Sequence, residues 1–118
     1  MAEFNRELAI MSLDTALKYY RISPCGKEVR RRENNNRLKL HPRKSRSGVY
    51  LRFMASIKGK KKWIPVNRFV CYRFHGPPKN VRMEANHKNK NTLDNSMDNV
   101  EWLTSQQNIE HRDNYKGN

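Results

Sequence analysis

An α+β fold of small antiparallel hairpins, closing on a strand–loop–strand–helix unit, is predicted by three features of this chain. Residues 49–57 and 61–66 are β-rich runs flanking a glycine turn, and residues 5–20 and 67–74 carry apolar side chains at helical spacing. Thr104-x-x-Gln107 is a capping box that should open a last helix at Ser105. With 118 residues the chain is expected to form one domain with a modest core.

The elements follow in chain order. Residues 5–20 place Leu8, Ile10, Met11, Leu13, Ala16, Leu17 and Tyr20 at roughly helical intervals. Asp14 and Lys18 lie four apart on the polar side, so this is an amphipathic packing helix. Arg21-Ile22-Ser23 and Glu28-Val29-Arg30 flank Pro24-Cys25-Gly26 and predict a short hairpin. The run Asn34-Asn35-Asn36 marks an exposed turn before Leu38 and Leu40.

The strongest strand signal comes next. Val49, Leu51, Phe53 and Ala55 face one way, while Tyr50, Arg52, Met54 and Ser56 face the other and could lie on a duplex. Lys58-Gly59-Lys60 reads as a three-residue turn. Lys58, Lys60, Lys61 and Lys62 crowd that tip, where like charges repel unless an anion sits among them. Asn67 is available as N-cap of the next helix, with Phe69, Val70 and Phe74 as its buried face. His75-Gly76-Pro77-Pro78 stops it. Near the end, Val100 and Trp102 alternate with Asn99 and Glu101 as in a short half-buried strand.

A formal charge of +14 calls for a polyanionic partner. The charge is concentrated: residues 26–85 hold eighteen Lys/Arg against three Asp/Glu, whereas both ends are nearly neutral. Because Val49, Tyr50, Leu51, Phe53, Ile57, Trp63, Ile64 and Val66 interleave with these cations, the basic segment should be folded and not a tail. Nucleic acid is the leading partner, and a ribosome-associated or merely adhesive basic protein is the alternative on charge alone. Cys25 and Cys71 form no CxxC pair and no zinc-spaced cluster, so no structural zinc is expected. No secretory leader is recognisable and no apolar stretch approaches the ~18 residues of a span, which points to a reducing cytoplasm and away from membranes.

Chemistry concentrates in the last third. Asn86-His87 falls on an apparent strand, Asn99 follows in the second strand's approach, and Asn108 takes the fourth position of the capped helix. An apolar residue paired with Leu103 would pack better there, so asparagine suggests a ligand role. His111, one turn beyond Asn108, shares its helical face.

This arrangement is similar to the phage and intron HNH homing endonucleases. Their pattern runs through a strand tyrosine, a VHRLVxxAF helix, Asp/Asn-His-x-Asp-Gly-Asn, Asn-Asn, NLEW and a T-x-x-x-N helix. Here the matching stretches are Val-Asn-Arg-Phe-Val-Cys-Tyr-Arg-Phe from Val66, Asn-His-Lys-Asn-Lys-Asn from Asn86, and Asp94-Asn95. Asn-Val-Glu-Trp from Asn99 and Thr-Ser-Gln-Gln-Asn-Ile from Thr104 complete the set. The resemblance covers about residues 20–112. Three departures stand out: Asn86 where some members have Asp, Asn89-Lys90 for Asp-Gly, and Asn67 for the helix histidine.

The resemblance implies a ββα-metal motif at the C-terminal end and a metal-dependent endonuclease that nicks or cuts duplex DNA. In that scheme residues 1–25 form a helix and strand, 26–82 a basic DNA-binding sheet and helix, and 83–118 the ββα-metal motif. The catalytic residues would be His87, as general base, and Asn99, bracing the loop between the strands. Asn86 and Asn108 would hold one Mg2+ or Mn2+ ion. Two neutral amides bind such a hard cation weakly, so the DNA phosphate is expected to complete its charge. DNA contacts are expected from Arg30, Arg31, Arg32, Arg43, Lys44, Arg46, Arg52, Lys58, Lys60, Lys61, Lys62, Arg68 and Arg112. The implied setting is a host cytoplasm for a phage-encoded enzyme, with a homodimer or a phage or host protein as further partner. The alternative is a catalytically inactive nucleic-acid-binding protein on the same scaffold.

Overall fold

The computed structural model describes the backbone of residues 6–116 and the side chains of residues 6–110. Helix α1, Arg6–Tyr19, leads into β1, Tyr20–Ile22, which pairs with β2, Val29–Arg31, and β2 in turn with β3, Arg37–Leu38. A second sheet is made by β4, His41–Ser45, β5, Gly48–Ile57, and β6, Lys60–Pro65, all antiparallel in that order. Helix α2, Val66–His75, follows. The chain closes with β7, Glu84–His87, β8, Val100–Leu103, and helix α3, Ser105–Lys116. β7 and β8 form an antiparallel pair in which Asn86 faces Glu101 and His87 faces Val100. The α+β expectation of small antiparallel sheets agrees with this architecture.

One apolar cluster unites the elements, from Leu13 and Ala16 of α1 to Val100 of β8. α2 lies at its centre, with Val66, Phe69, Val70 and Cys71 fully enclosed. The rings of Phe53 and Phe69 stand 5.2 Å apart, and Tyr20 joins them at 5.5 Å from Phe53. Burying each such aromatic stabilises the fold by roughly 1.5–3 kcal/mol. The boundary expected after Cys25 falls inside the β1–β2 hairpin, because Ile22 pairs with Val29 across it.

Three local expectations change. Tyr20 leaves the helix and becomes the first residue of β1: its buried hydroxyl accepts from the Ser56 amide at 2.7 Å, and a helical continuation would forgo that bond. The β5–β6 turn contains Lys58 and Gly59 only, both with positive φ (52° and 80°), while Lys60 already pairs with Ile57. Two successive left-handed residues match the twist of a tight hairpin, which a three-residue turn would not close in this register. Asn67 is not the N-cap of α2; Pro65 is, and Asn67 lies in the first turn with its Nδ2 donating to the Ala85 carbonyl at 3.1 Å. The asparagine thus ties α2 to β7, a long-range bond that no cap rule foresees. β4, where the sequence pattern predicts no element, is a strand despite Pro42, because as the sheet edge it needs only one set of backbone partners.

Candidate active site

β7 and β8 are linked by residues 88–99, and the asparagines of that loop replace regular structure with side-chain bonds. The Asn99 amide oxygen accepts from the Asn89 amide at 3.0 Å, and its Nδ2 donates to Asn89 Oδ1 at 2.9 Å and to the Asp94 carbonyl at 2.8 Å. Further anchors come from outside. Thr92 Oγ1 donates to the Val49 carbonyl, the Met97 amide to the Pro24 carbonyl at 2.8 Å, and His75 Nε2 to the Met97 carbonyl at 2.7 Å. The loop is therefore pinned by β5, by the β1–β2 turn and by the end of α2. This is why residues distant in sequence control its shape.

His87, at the end of β7, is buried and lines an open cleft of about 740 Å³. Asn86, Asn108, Glu84, Lys90, Tyr50 and Ser47 line the same cleft. The Tyr50 ring stands 5.8 Å from the imidazole, and its hydroxyl lies 2.8 Å from Ser47 Oγ. His87 Nε2 lies 2.7 Å from Asn95 Oδ1, an acceptor, so Nε2 carries the proton and Nδ1 is the basic nitrogen. Burial pushes the imidazole below its ordinary value of 6.5, opposed by Asn95 and by the charge of Asp94. The ring is accordingly neutral at pH 7, the form able to accept a proton.

Asn86 and Asn108 reach this cleft from different elements. The Nδ2 of Asn86 donates to Glu101 Oε2 at 3.3 Å, across the β7–β8 pair. The Nδ2 of Asn108 donates to Glu84 Oε2 at 3.1 Å, bridging α3 to β7. α3 starts where the capping box places it: the Gln107 amide donates to Thr104 Oγ1 at 3.1 Å and the Thr104 amide to Gln107 Oε1 at 3.0 Å. With both NH2 groups occupied by carboxylates, each amide is left with its oxygen to offer. Two hard neutral oxygens in a cleft open to an anionic substrate fit a hard divalent cation such as Mg2+. Among the described residues no cluster of three or more His, Cys, Asp or Glu has metal-binding geometry, so such an ion would depend on these amides.

The structure thus brings His87, Asn86 and Asn108 together. Asn99 is buried but does not line the cleft, and all of its side-chain bonds lie within the loop. The expected DNA contacts are more dispersed. Lys44 and Arg46 are exposed on the β4–β5 hairpin, whose tip residue Ser47 borders the cleft. Lys58, Lys60, Lys61 and Lys62 are exposed at the opposite end of β5. Arg43, Arg52, Lys62 and Arg68 line a separate groove against α1, where the Arg52 guanidinium stacks 4.0 Å from the Trp63 ring. Arg30, Arg31 and Arg32 are engaged within the fold, by Glu28 and the Asn35 carbonyl, by the Tyr20 ring and by the Leu17 carbonyl respectively. The side chains of His111 and Arg112 lie outside the described residues.

Sequence reasoning missed Asn95, Glu84, Glu101 and the cleft-facing role of Tyr50. Asn95 and Glu101 sit inside the Asn-Asn and NLEW stretches, so the motif itself was their only signal.

Residues 65–110 match the family model described as HNH endonuclease. That segment is similar to the HNH endonucleases. The matched segment begins at the N-cap of α2 and spans β7, the loop, β8 and the first turns of α3. The whole arrangement is also similar to a solved structure titled "DNA binding and cleavage by the HNH homing endonuclease I-HmuI". The two share 28% identity with a TM-score of 0.66, over 84% of this chain and 53% of that one. The chain described here therefore spans about half the length of that protein. Curated proteins include no match to it.

Proposed function

We propose that this protein is a metal-dependent endonuclease of the homing type, phage-encoded, that hydrolyses a phosphodiester bond of duplex DNA as one folded unit. The observation that carries the proposal is the convergence of a neutral, buried imidazole and two amide oxygens, from β7 and α3, on one open cleft. The family-model match over residues 65–110 and the likeness to I-HmuI support the same reaction.

His87 is the general base: Nδ1 takes a proton from water as the oxygen attacks phosphorus. Asn95 holds the ring in the required tautomer, and burial keeps the ring deprotonated. Asn86 and Asn108 would hold one Mg2+ or Mn2+ through their amide oxygens. When bound, such an ion polarises the phosphate and offsets charge on the departing 3′ oxygen. Asn99 acts through the loop as a positioning residue. Lys44, Arg46 and Lys90 meet the backbone next to the scissile bond. The Lys58–Lys62 tip is about 26 Å from Tyr50 at ~3.3 Å per strand residue, and meets the duplex further along.

The test is incubation of supercoiled plasmid with Mg2+ and either the parent protein or His87→Ala. Conversion to open circle by the parent alone is expected. DNA retention by both without conversion would replace the enzyme by a binding protein on an HNH scaffold.

A further inference from the structure

We infer that Glu84 and Glu101 are positioning residues that aim the two metal-binding amides, an inference that rests on the endonuclease assignment above. An asparagine amide is nearly symmetric in shape but not in chemistry: only one end can ligate a cation. Nothing in the backbone decides which end faces the cleft. At both asparagines the deciding partner is a carboxylate, which only accepts when ionised. Glu101 takes Nδ2 of Asn86 at 3.3 Å, and Glu84 takes Nδ2 of Asn108 at 3.1 Å.

The placement of the two glutamates follows from the hairpin. Glu101 is the register partner of Asn86, so their side chains project from the same face of the β7–β8 pair. Glu84 is two residues before Asn86 on β7, hence on that face too, and reaches forward to α3. One strand pair thereby orients a ligand of its own and a ligand on the following helix. Asn86 is 7% exposed, which leaves its amide little room to turn over. Arg68 of α2 couples electrostatically to Glu84 from behind.

This resolves the difficulty raised by Asn86 standing where some members of the family carry Asp. The negative charge is not lost but set back by one hydrogen bond, where it polarises both amides toward their oxygens. Outer partners of metal ligands act this way, and losing one weakens metal binding by roughly 10- to 100-fold.

The experiment uses the full chain with His87→Ala, so that bound duplex survives, and measures Mn2+ affinity on the protein–duplex complex by electron paramagnetic resonance. Adding Glu101→Met or Glu84→Met, which keeps length but removes the acceptor, is expected to weaken Mn2+ binding by about 10-fold or more. Glu101→Gln and Glu84→Gln, which retain an acceptor oxygen, should recover part of the loss. If a Met variant does not fold, the Gln variant and the side-chain NH2 resonances of Asn86 and Asn108 decide: each should shift on substitution of its own glutamate and not of the other. Unchanged Mn2+ affinity in folded Met variants, or unmoved amide resonances, would overturn the inference. Failure of the His87→Ala complex with both glutamates intact to take up Mn2+ would instead overturn the metal-dependent function, and this inference with it.

Discussion

Asn95 Oδ1 stands 2.7 Å from His87 Nε2, with both residues buried and His87 meeting solvent only through the cleft. This pair links two parts of the chain, the strand that carries the proposed base and the loop that fixes its tautomer.

The pH dependence follows from that pair. Burial lowers the His87 pKa below 6.5, so kcat/KM for plasmid nicking should have its acid limb below pH 6.5. The sign for stability is the same: the unfolded chain takes up the proton first, so stability is present above 6.5 and lost as pH falls through the folded value. Asn95→Asp places a carboxylate against the ring and favours the imidazolium, moving the acid limb upward by about one unit or more. A parent limb at or above 6.5 would contradict the neutral, buried base.

Gly26 in the β1–β2 turn has φ 72°, and a Cβ there would come within 2.7 Å of the Asn95 carbonyl carbon. Gly26→Ala must therefore displace the backbone that carries Asn95. The expected cost is about 2–3 kcal/mol in urea denaturation, with slower nicking under conditions where the variant is folded. Gly59→Ala is the control: φ is 80° but the space is open, so about 1 kcal/mol of backbone strain is the whole expected effect.

Lys90 adopts φ 65° on the cleft wall, at a position where the family pattern has glycine. A long side chain kept in a left-handed conformation costs about 1 kcal/mol, a strain consistent with a task at the phosphate. Lys90→Gly should raise the unfolding midpoint while reducing nicking and duplex affinity. A variant both less stable and equally active would refute this.

The capping box holds α3, and α3 holds Asn108. Thr104→Ala should cost about 1 kcal/mol and raise the Mg2+ concentration needed for half-maximal nicking. Thr104→Ser, which keeps the hydroxyl, should behave as the parent does.

The two cysteines should separate cleanly in a thiol-labelling assay. Cys71 is enclosed in α2 and its thiol is pushed up to about 12 by burial, whereas Cys25 is exposed and lowered by its bond to Ser23. One equivalent of label should react in the native protein and a second only with denaturant.

The sequence by itself determined the elements that local rules govern. The alternation in β5, the turn-flanked β1–β2 hairpin and the capping box of α3 all appear where short-range patterns put them. So does the company of His87, Asn86 and Asn108, because a motif encodes residues whose chemistry must coincide. Only the tertiary structure decided which bonds those residues make. Tyr20 joined a strand because Ser56 offered a buried bond, and Asn67 forsook a cap for the Ala85 carbonyl. Asn95, Glu84 and Glu101 gained their places through loop anchoring and strand register. Such contacts depend on where distant backbone arrives, and that is set by packing around α2 and β5, which no short-range pattern carries.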